Sequence, residues 1–442
     1  MGTRQYVGAR YVPKFATPIA WDNARTYEAL EIVTYLGTSY TSKKPVPTGV
    51  EITNTEYWVV TGNYNAQVEE YRQEVQAVTT DVATLEKQVN WKTPEMYGAV
   101  GDGTTDDRTA IQAMLTDMHT GETAYFGNKY YISDYVEINT QGIAIVGGFD
   151  SPEYGGYVKV ATSKNGFVVN SPCVDFRNIT IIGTSDESQM AIGIYYNTDA
   201  PTRQAGDIDS FLDAVRISYA NKGIVFRGKN ASVKNSFFSH CVNCIELQQT
   251  SRDTENRGYI IESNRFHAWT GYAIENLINR SGVRNILIAN NFADYGAGFY
   301  RGYVGETELI SNNVYCSGIG AYFRTNSNAG HDKVISNCFK HYGEPVARGI
   351  YIEASCNKIT IMDNVIEEFT HTGIDIGASA YCDVLYNRII NNGTAGSDKH
   401  NLVANTGCVG YGCYNVFTGT NGGDVIHPST DFTTEYNISP SA

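Results

Sequence analysis

Short apolar strands broken by polar corners recur through most of this chain. Six segments share one pattern, an asparagine with apolar residues on both sides of it: Ile261-Glu-Ser-Asn264-Arg-Phe266, Ile288-Ala-Asn-Asn291-Phe292, Ile310-Ser-Asn-Asn313-Val314, Ile335-Ser-Asn337-Cys-Phe339, Ile361-Met-Asp-Asn364-Val365 and Val384-Leu-Tyr-Asn387-Arg-Ile389. These asparagines follow one another at intervals of 27, 22, 24, 27 and 23 residues. Units of that length are too short for a strand-helix-strand turn at each step, but they match one coil of a right-handed parallel β-helix built from two or three short strands. An asparagine at the same corner of each coil hydrogen-bonds to its equivalent above and below, which satisfies amides that would otherwise be buried unpaired.

A second strand follows each corner, usually after a glycine: Gly223-Ile-Val-Phe-Arg227, Cys244-Ile-Glu-Leu-Gln248, Gly271-Tyr-Ala-Ile-Glu275, Gly298-Phe-Tyr-Arg301, Gly320-Ala-Tyr-Phe-Arg324, Gly349-Ile-Tyr-Ile-Glu353 and Gly373-Ile-Asp-Ile-Gly377. Alternation places Ile224 and Phe226, Ile245 and Leu247, Ile350 and Ile352, and Ile374 and Ile376 inside the coil, with their neighbours facing out. Looser coils precede these, at Val174-Asp-Phe-Arg-Asn178 and Ala231-Ser-Val-Lys-Asn235.

A different period occupies residues 65–91. Val68, Tyr71, Val75, Val78, Val82, Leu85 and Val89 are spaced 3, 4, 3, 4, 3, 4, an uninterrupted seam of a and d positions. Its valines and threonines are poor helix formers, so the helix must gain stability by association, and β-branched residues at both seam positions shift the preference to three or more strands. An amphipathic helix folded onto its own domain is the competing reading. Upstream, residues 1–64 are rich in aromatics (Trp21, Tyr27, Tyr35, Tyr40, Tyr57, Trp58), with turn signals at Tyr35-Leu-Gly37 and Pro45-Val-Pro-Thr-Gly49, and read as a small antiparallel β module. The expected organisation is a β module in 1–64, a coiled-coil trimerisation helix in 65–91, a β-helix with an N-terminal cap helix in 92–393, and a C-terminal cap in 394–442.

Composition narrows the function. The 442 residues carry a net charge of -14, without clustered Lys and Arg, which argues against a nucleic-acid partner. Met1 to Phe15 has no apolar stretch fit for a signal-peptide core, and no long apolar run suggests a membrane span. Nine cysteines at irregular intervals fit reduced, buried thiols of a protein made in a cytoplasm; Cys241-Val-Asn-Cys244 has no second pair to complete a metal site. No metal and no cofactor is expected.

Two stretches resemble known families. Trp21, Tyr27, the segment from Val33 to Lys43 and Tyr57-Trp58 are similar to small chitin-binding-type carbohydrate modules, which leaves sugar binding and virion attachment both open for residues 1–64. Tyr97-Gly-Ala-Val-Gly-Asp-Gly-Thr-Thr-Asp-Asp107, followed by Thr109-Ala-Ile-Gln-Ala-Met-Leu115, resembles the opening motif of the pectate-lyase-like superfamily, common in bacteriophage tail spikes and tail fibres. There Asp106 is expected to cap a helix that closes the coil stack, with a cation at Asp102, Asp106 and Asp107 as the alternative. The resemblance implies a homotrimer located in the virion tail and assembled in the bacterial host cytoplasm. Its N-terminal part would join tail or baseplate proteins, and its β-helix would bind bacterial surface polysaccharide. It hands over no catalytic residues.

Candidate chemistry lies on outward positions of the second strand: Arg227, Glu246, Glu275, Tyr300, Tyr322, Arg324, Tyr351, Glu353 and Asp375. Tyr300, Tyr322, Arg324 and Tyr351 are candidate sugar contacts, through ring stacking and charged hydrogen bonds. If Ile350 lies under Ile374, then Glu353 and Asp375 sit one coil and two residues apart, roughly 8 Å. That is inside the range of about 6.5–9.5 Å expected of an inverting glycosidase pair. The same arithmetic offers Glu246 and Glu275 as an alternative pair, and Asp207 with Asp209 is a third candidate. A polysaccharide depolymerase and a non-catalytic receptor-binding fibre are therefore both open.

Overall fold

The computed structural model describes residues 19–62, 70–81, 90–148, 156–197, 207–248, 257–279, 284–325, 331–343, 347–392, 400–418, 425–426 and 431–438. The chain divides into two compact units, Met1–Val89 and Asn90–Ala442.

In the first unit, strands Ile19–Ala20, Ile32–Tyr35, Thr38–Ser42 and Trp58–Gly62 form one sheet in chain order. The last three are antiparallel, as the turn signals suggest, while the first pairs parallel to the second. Leu36 and Gly37, with φ of 47° and 79°, make the tight hairpin between the second and third strands. Tyr27, Val33, Val46, Ile52 and Trp58 form its core, so two of the noted aromatics are committed to packing. Residues 70–81 form a helix, α1. On it Tyr71, Val75 and Val78 are 67%, 65% and 61% exposed, so this part of the seam is uncovered within one chain. Val68, Val82, Leu85 and Val89 lie outside the described residues.

The second unit winds through three parallel sheets of 14, 13 and 12 strands, here called sheets one, two and three, with successive strands passing from one sheet to the next. The inward alternation is realised: Ile224, Ile245, Ile350, Ile352, Ile374 and Ile376 are fully buried. Along sheet three, Ile194, Ile224, Ile245 and Ile274 stack in register, and the column resumes at Ile350, Ile374 and Leu402. Each such side chain contributes about 1.5–3 kcal/mol by burial.

At the corner between sheets one and two the asparagine ladder forms, with one correction. Its members are Asn264, Asn291, Asn312, Asn337, Asn364, Asn387, Asn415 and Asn437; each side-chain amide donates to the Oδ1 of the next at 2.9–3.1 Å. Asn312, rather than Asn313, holds the corner, and Asn313 opens the following strand facing out. The residue before each asparagine turns the chain in the left-handed region, from Ser263 (φ 57°) to Tyr436 (φ 56°).

Helix α2, Arg108–Asp117, buries Ile111, Met114 and Leu115 at the start of the coil stack. Its N-cap residue is Asp107, whose carboxylate accepts from the Val100 and Gly101 amides instead; Asp106 accepts from the Arg108 and Ser133 amides. Asp102 accepts from Thr104 and Thr105, and these backbone donors hold its carboxyl far below the usual range. All three acids of the motif thus organise the turn. At the other end, strands His400–Ala404, Val409–Cys413 and Val416–Thr418 continue sheets three, one and two past residue 393, where the sequence pattern placed the cap.

Candidate functional site

The outward column of sheet three is set by register. Glu246 pairs with Glu275, Glu275 with Arg301, Arg301 with Tyr322, Tyr322 with Tyr351, and Tyr351 with Asp375. Tyr322, Tyr351, Glu246, Glu275 and Asp375 therefore share one strip, as their alternation suggests, but Glu246, Glu275 and Asp375 are buried there, and Tyr322 and Tyr351 are the partly exposed members. Arg324 and Glu353 face out two residues further along their strands, and Arg227 likewise beyond Val225.

Tyr300 does not belong to it. Its side chain is fully buried, in the inward column between Ile274 and Ala321, and Arg301 takes the outward place. The reason is a glycine out of step. Gly193, Gly223, Gly320, Gly349 and Gly373 occupy a column where an added Cβ would come within 2.4–2.7 Å of the next coil's carbonyl oxygen. Gly298 lies one residue before that column, whose place Phe299 takes, so counting from Gly298 assigns the wrong face.

Every acid of the strip is held by a donor. Glu246 accepts from Lys222 Nζ at 2.7 Å and from Gln248; Glu275 accepts from Arg301 Nε at 2.7 Å and Asn243 Nδ2 at 2.6 Å. Because Glu246 and Glu275 are direct partners, the two-residue offset assumed for them does not exist. Asp375 accepts from Arg348 Nε at 2.8 Å and Asn405 Nδ2 at 3.1 Å, while Glu353 accepts from the Tyr322 hydroxyl and the Thr325 amide. The register required for Glu353 and Asp375, with Ile350 beside Ile374, is the one observed. Yet all four of their carboxylate oxygens already carry a hydrogen bond, so proton transfer to a leaving group or from water would first have to displace a partner.

The rings are placed for contact. Tyr322 and Tyr351 lie 5.0 Å apart at 38°, the Arg348 guanidinium sits 4.9 Å from the Tyr351 ring, Arg301 4.5 Å from Tyr272, and Arg324 4.4 Å from Tyr303. Partial burial, then donation to Glu353, raises the Tyr322 hydroxyl; partial burial and the Asp375 charge raise Tyr351. Both therefore stay protonated donors. A groove of about 500 Å³ lies on another face, sheet one, between Ile260, Leu287, Glu306, Glu308, His331 and Lys333. Asp209 borders the neighbouring hollow and accepts from Asn230; the Asp207 side chain lies outside the described residues.

Neither a family model nor a curated protein matches the sequence. Among solved structures, the catalytic unit of a thermostable GH87 alpha-1,3-glucanase from Streptomyces thermodiastaticus is similar, with 12% identity over 78% of this chain and 68% of that chain and a TM-score of 0.55. A tailspike protein of bacteriophage CBA120 shares 12% identity over 96% of this chain and 76% of its own, at a TM-score of 0.43. DFA-IIIase from Arthrobacter chlorophenolicus shares 14% identity over 79% of this chain and 100% of its own, at 0.49. At such identity the likeness to the glucanase shows the fold alone: by that likeness, and by the three parallel sheets wound from its own sequence, the chain is a parallel β-helix protein.

Proposed function

We propose that this protein is a trimeric tail-spike subunit that holds bacterial surface polysaccharide on the outward strip of sheet three. The observation that carries the reading is the strip itself, where Tyr322 and Tyr351 stand on adjacent coils amid Arg301, Arg348, Glu353 and Asp375, on a backbone fixed by the asparagine ladder. Rings that stack on sugar faces, beside fixed donors and acceptors for hydroxyls, are the chemistry of saccharide recognition. The uncovered seam of α1 supports association of several copies, and avidity would multiply weak contacts to a repeating polymer. The opening motif at Tyr97–Asp107 supports the spike assignment.

A glycan array probed with the intact protein tests the binding role; loss of signal in Tyr322→Ala and Tyr351→Ala is expected, and unchanged binding in both sinks it. Light scattering should give three copies, and Val75→Asp with Val78→Asp should give one. A second reading, cleavage by Glu353 and Asp375, is favoured only by their diagonal placement. Reducing-end release lost in Glu353→Gln and Asp375→Asn would establish it.

A further inference from the structure

At the corner between sheets one and two, the residue before each ladder asparagine turns through the left-handed region, and upstream coils fill that place with short polar side chains: Ser263, Asn290, Ser311, Ser336 and Asp363, at φ of 53–57°. Such residues tolerate the conformation, whereas a large ring adopts it at a conformational cost. The last three coils nevertheless carry Tyr386, Tyr414 and Tyr436 there, at φ of 57°, 59° and 56°. Their rings are stacked nearly parallel, 5.1 Å apart at 9° and again 5.1 Å apart at 7°. They are also 46–68% exposed, and Ile438, beside them on the sheet-two side, is 58% exposed.

Leu385 on the sheet-one side and Val416 on the sheet-two side, both half-buried, widen the row into one apolar ridge whose crest carries no charge. Within the stack each ring covers the face of the next, and a corner is convex. The ridge therefore offers ring edges rather than open faces, and no cleft that could enclose a sugar or another small ligand. Only a comparably large surface can cover it. The four exposed side chains present roughly 400 Å², which matches the largest apolar patches of single chains, about 300–600 Å² and often functional. Contributed by each of three copies, this is about 1,200 Å², the lower bound of a stable interface.

We propose that this tyrosine ridge is where the β-helices of neighbouring copies of the chain meet, ring edge against ring edge about a shared axis; this rests on the several-copy assembly proposed above and adds the face through which its coils touch. The uncovered seam of α1 already asks for further copies of this same chain. Each chain carries a net charge of -14, so copies repel one another wherever they are charged, and the uncharged crest is a place where they can approach. In a closed ring of identical subunits every patch recurs once per copy about the axis, so one convex corner from each suffices without a matching hollow elsewhere. An interface at the lower size bound holds weakly alone, and it adds strength once the seam has raised the local concentration of its partners.

The test treats the intact protein carrying Tyr436→Cys with a short bismaleimide and measures the fraction of chains linked in pairs. That fraction should exceed the one found for Asn285→Cys, exposed at the start of a sheet-one strand away from this corner, by about fivefold or more. A second variant, Tyr386→Ser with Tyr414→Ser and Tyr436→Ser, gives the corner the residue type of the upstream coils. On dilution it should dissociate at a subunit concentration about 100-fold or more above wild type, with an unchanged circular dichroism spectrum. Equal linking of the two cysteine variants, or dissociation of the serine variant at the wild-type concentration, overturns the proposal. Three copies without the preferred link overturn the ridge alone; a wild-type protein that light scattering finds as single copies overturns the assembly as well.

Discussion

The corner ladder and the outer strip of sheet three are both rows of polar residues one coil apart, yet they are built on opposite rules. In the ladder one residue type repeats, is buried, and finds its donor and acceptor in its own copy on the next coil. In the strip the residue type varies along the stack, two glutamates at Glu246 and Glu275, then Arg301, then two tyrosines at Tyr322 and Tyr351, then Asp375, and each acid is held by a different neighbour. Repetition serves a position whose surroundings are the same on every coil. Variation fits the binding role proposed for this face.

That contrast is most strongly tested at Asn364. Its amide donates to Val334 O and Asn387 Oδ1, and its Oδ1 accepts from Asn337 N and Nδ2. Asn364→Ala orphans several buried groups at about 1–3 kcal/mol each, so chemical denaturation should show a loss on the order of 4 kcal/mol, with glycan affinity of the folded protein unchanged. A comparable effect is expected from Asp332, fully buried, whose carboxylate accepts from the Gly305 and Thr307 amides and is pushed up to about 7 by burial. The folded state then keeps a proton that the unfolded chain releases near 3.8, so stability should fall as pH rises from about 4 to about 7 and level off above. In Asp332→Asn that slope in melting temperature should flatten.

The strip should answer in the reverse sense. Tyr351→Ala is expected to weaken glycan binding by about tenfold, near 1.4 kcal/mol, with a melting temperature close to wild type. Arg324→Ala, which removes a half-buried guanidinium from the Tyr303 ring, should change affinity by about threefold or less and stability by under about 1 kcal/mol. A strip variant that unfolds the protein, or a ladder variant that abolishes binding without destabilising it, would erase the distinction.

Much of this architecture is legible in the sequence because a coil repeats its environment. Inward positions such as Ile224, Ile350 and Ile374, the corner asparagines, and the helix opening the stack all follow from local period and residue type. Tyr300 and Asn313 are the exceptions, and for the same reason: at Gly298 and in the Asn312-Asn313 pair, two local alignments are equally good, and hydrogen bonds to the neighbouring coil choose between them.

By itself the sequence determined that the chain winds into stacked coils, which side of most strands faces inward, and that the α1 seam has an apolar edge to cover, since alternation and heptad spacing are properties of consecutive residues. Only the tertiary structure decided which outward residues become neighbours. A shift of one residue between coils reverses the face of every side chain on a strand, and that shift is set by backbone hydrogen bonds and a bulge between segments more than 20 residues apart.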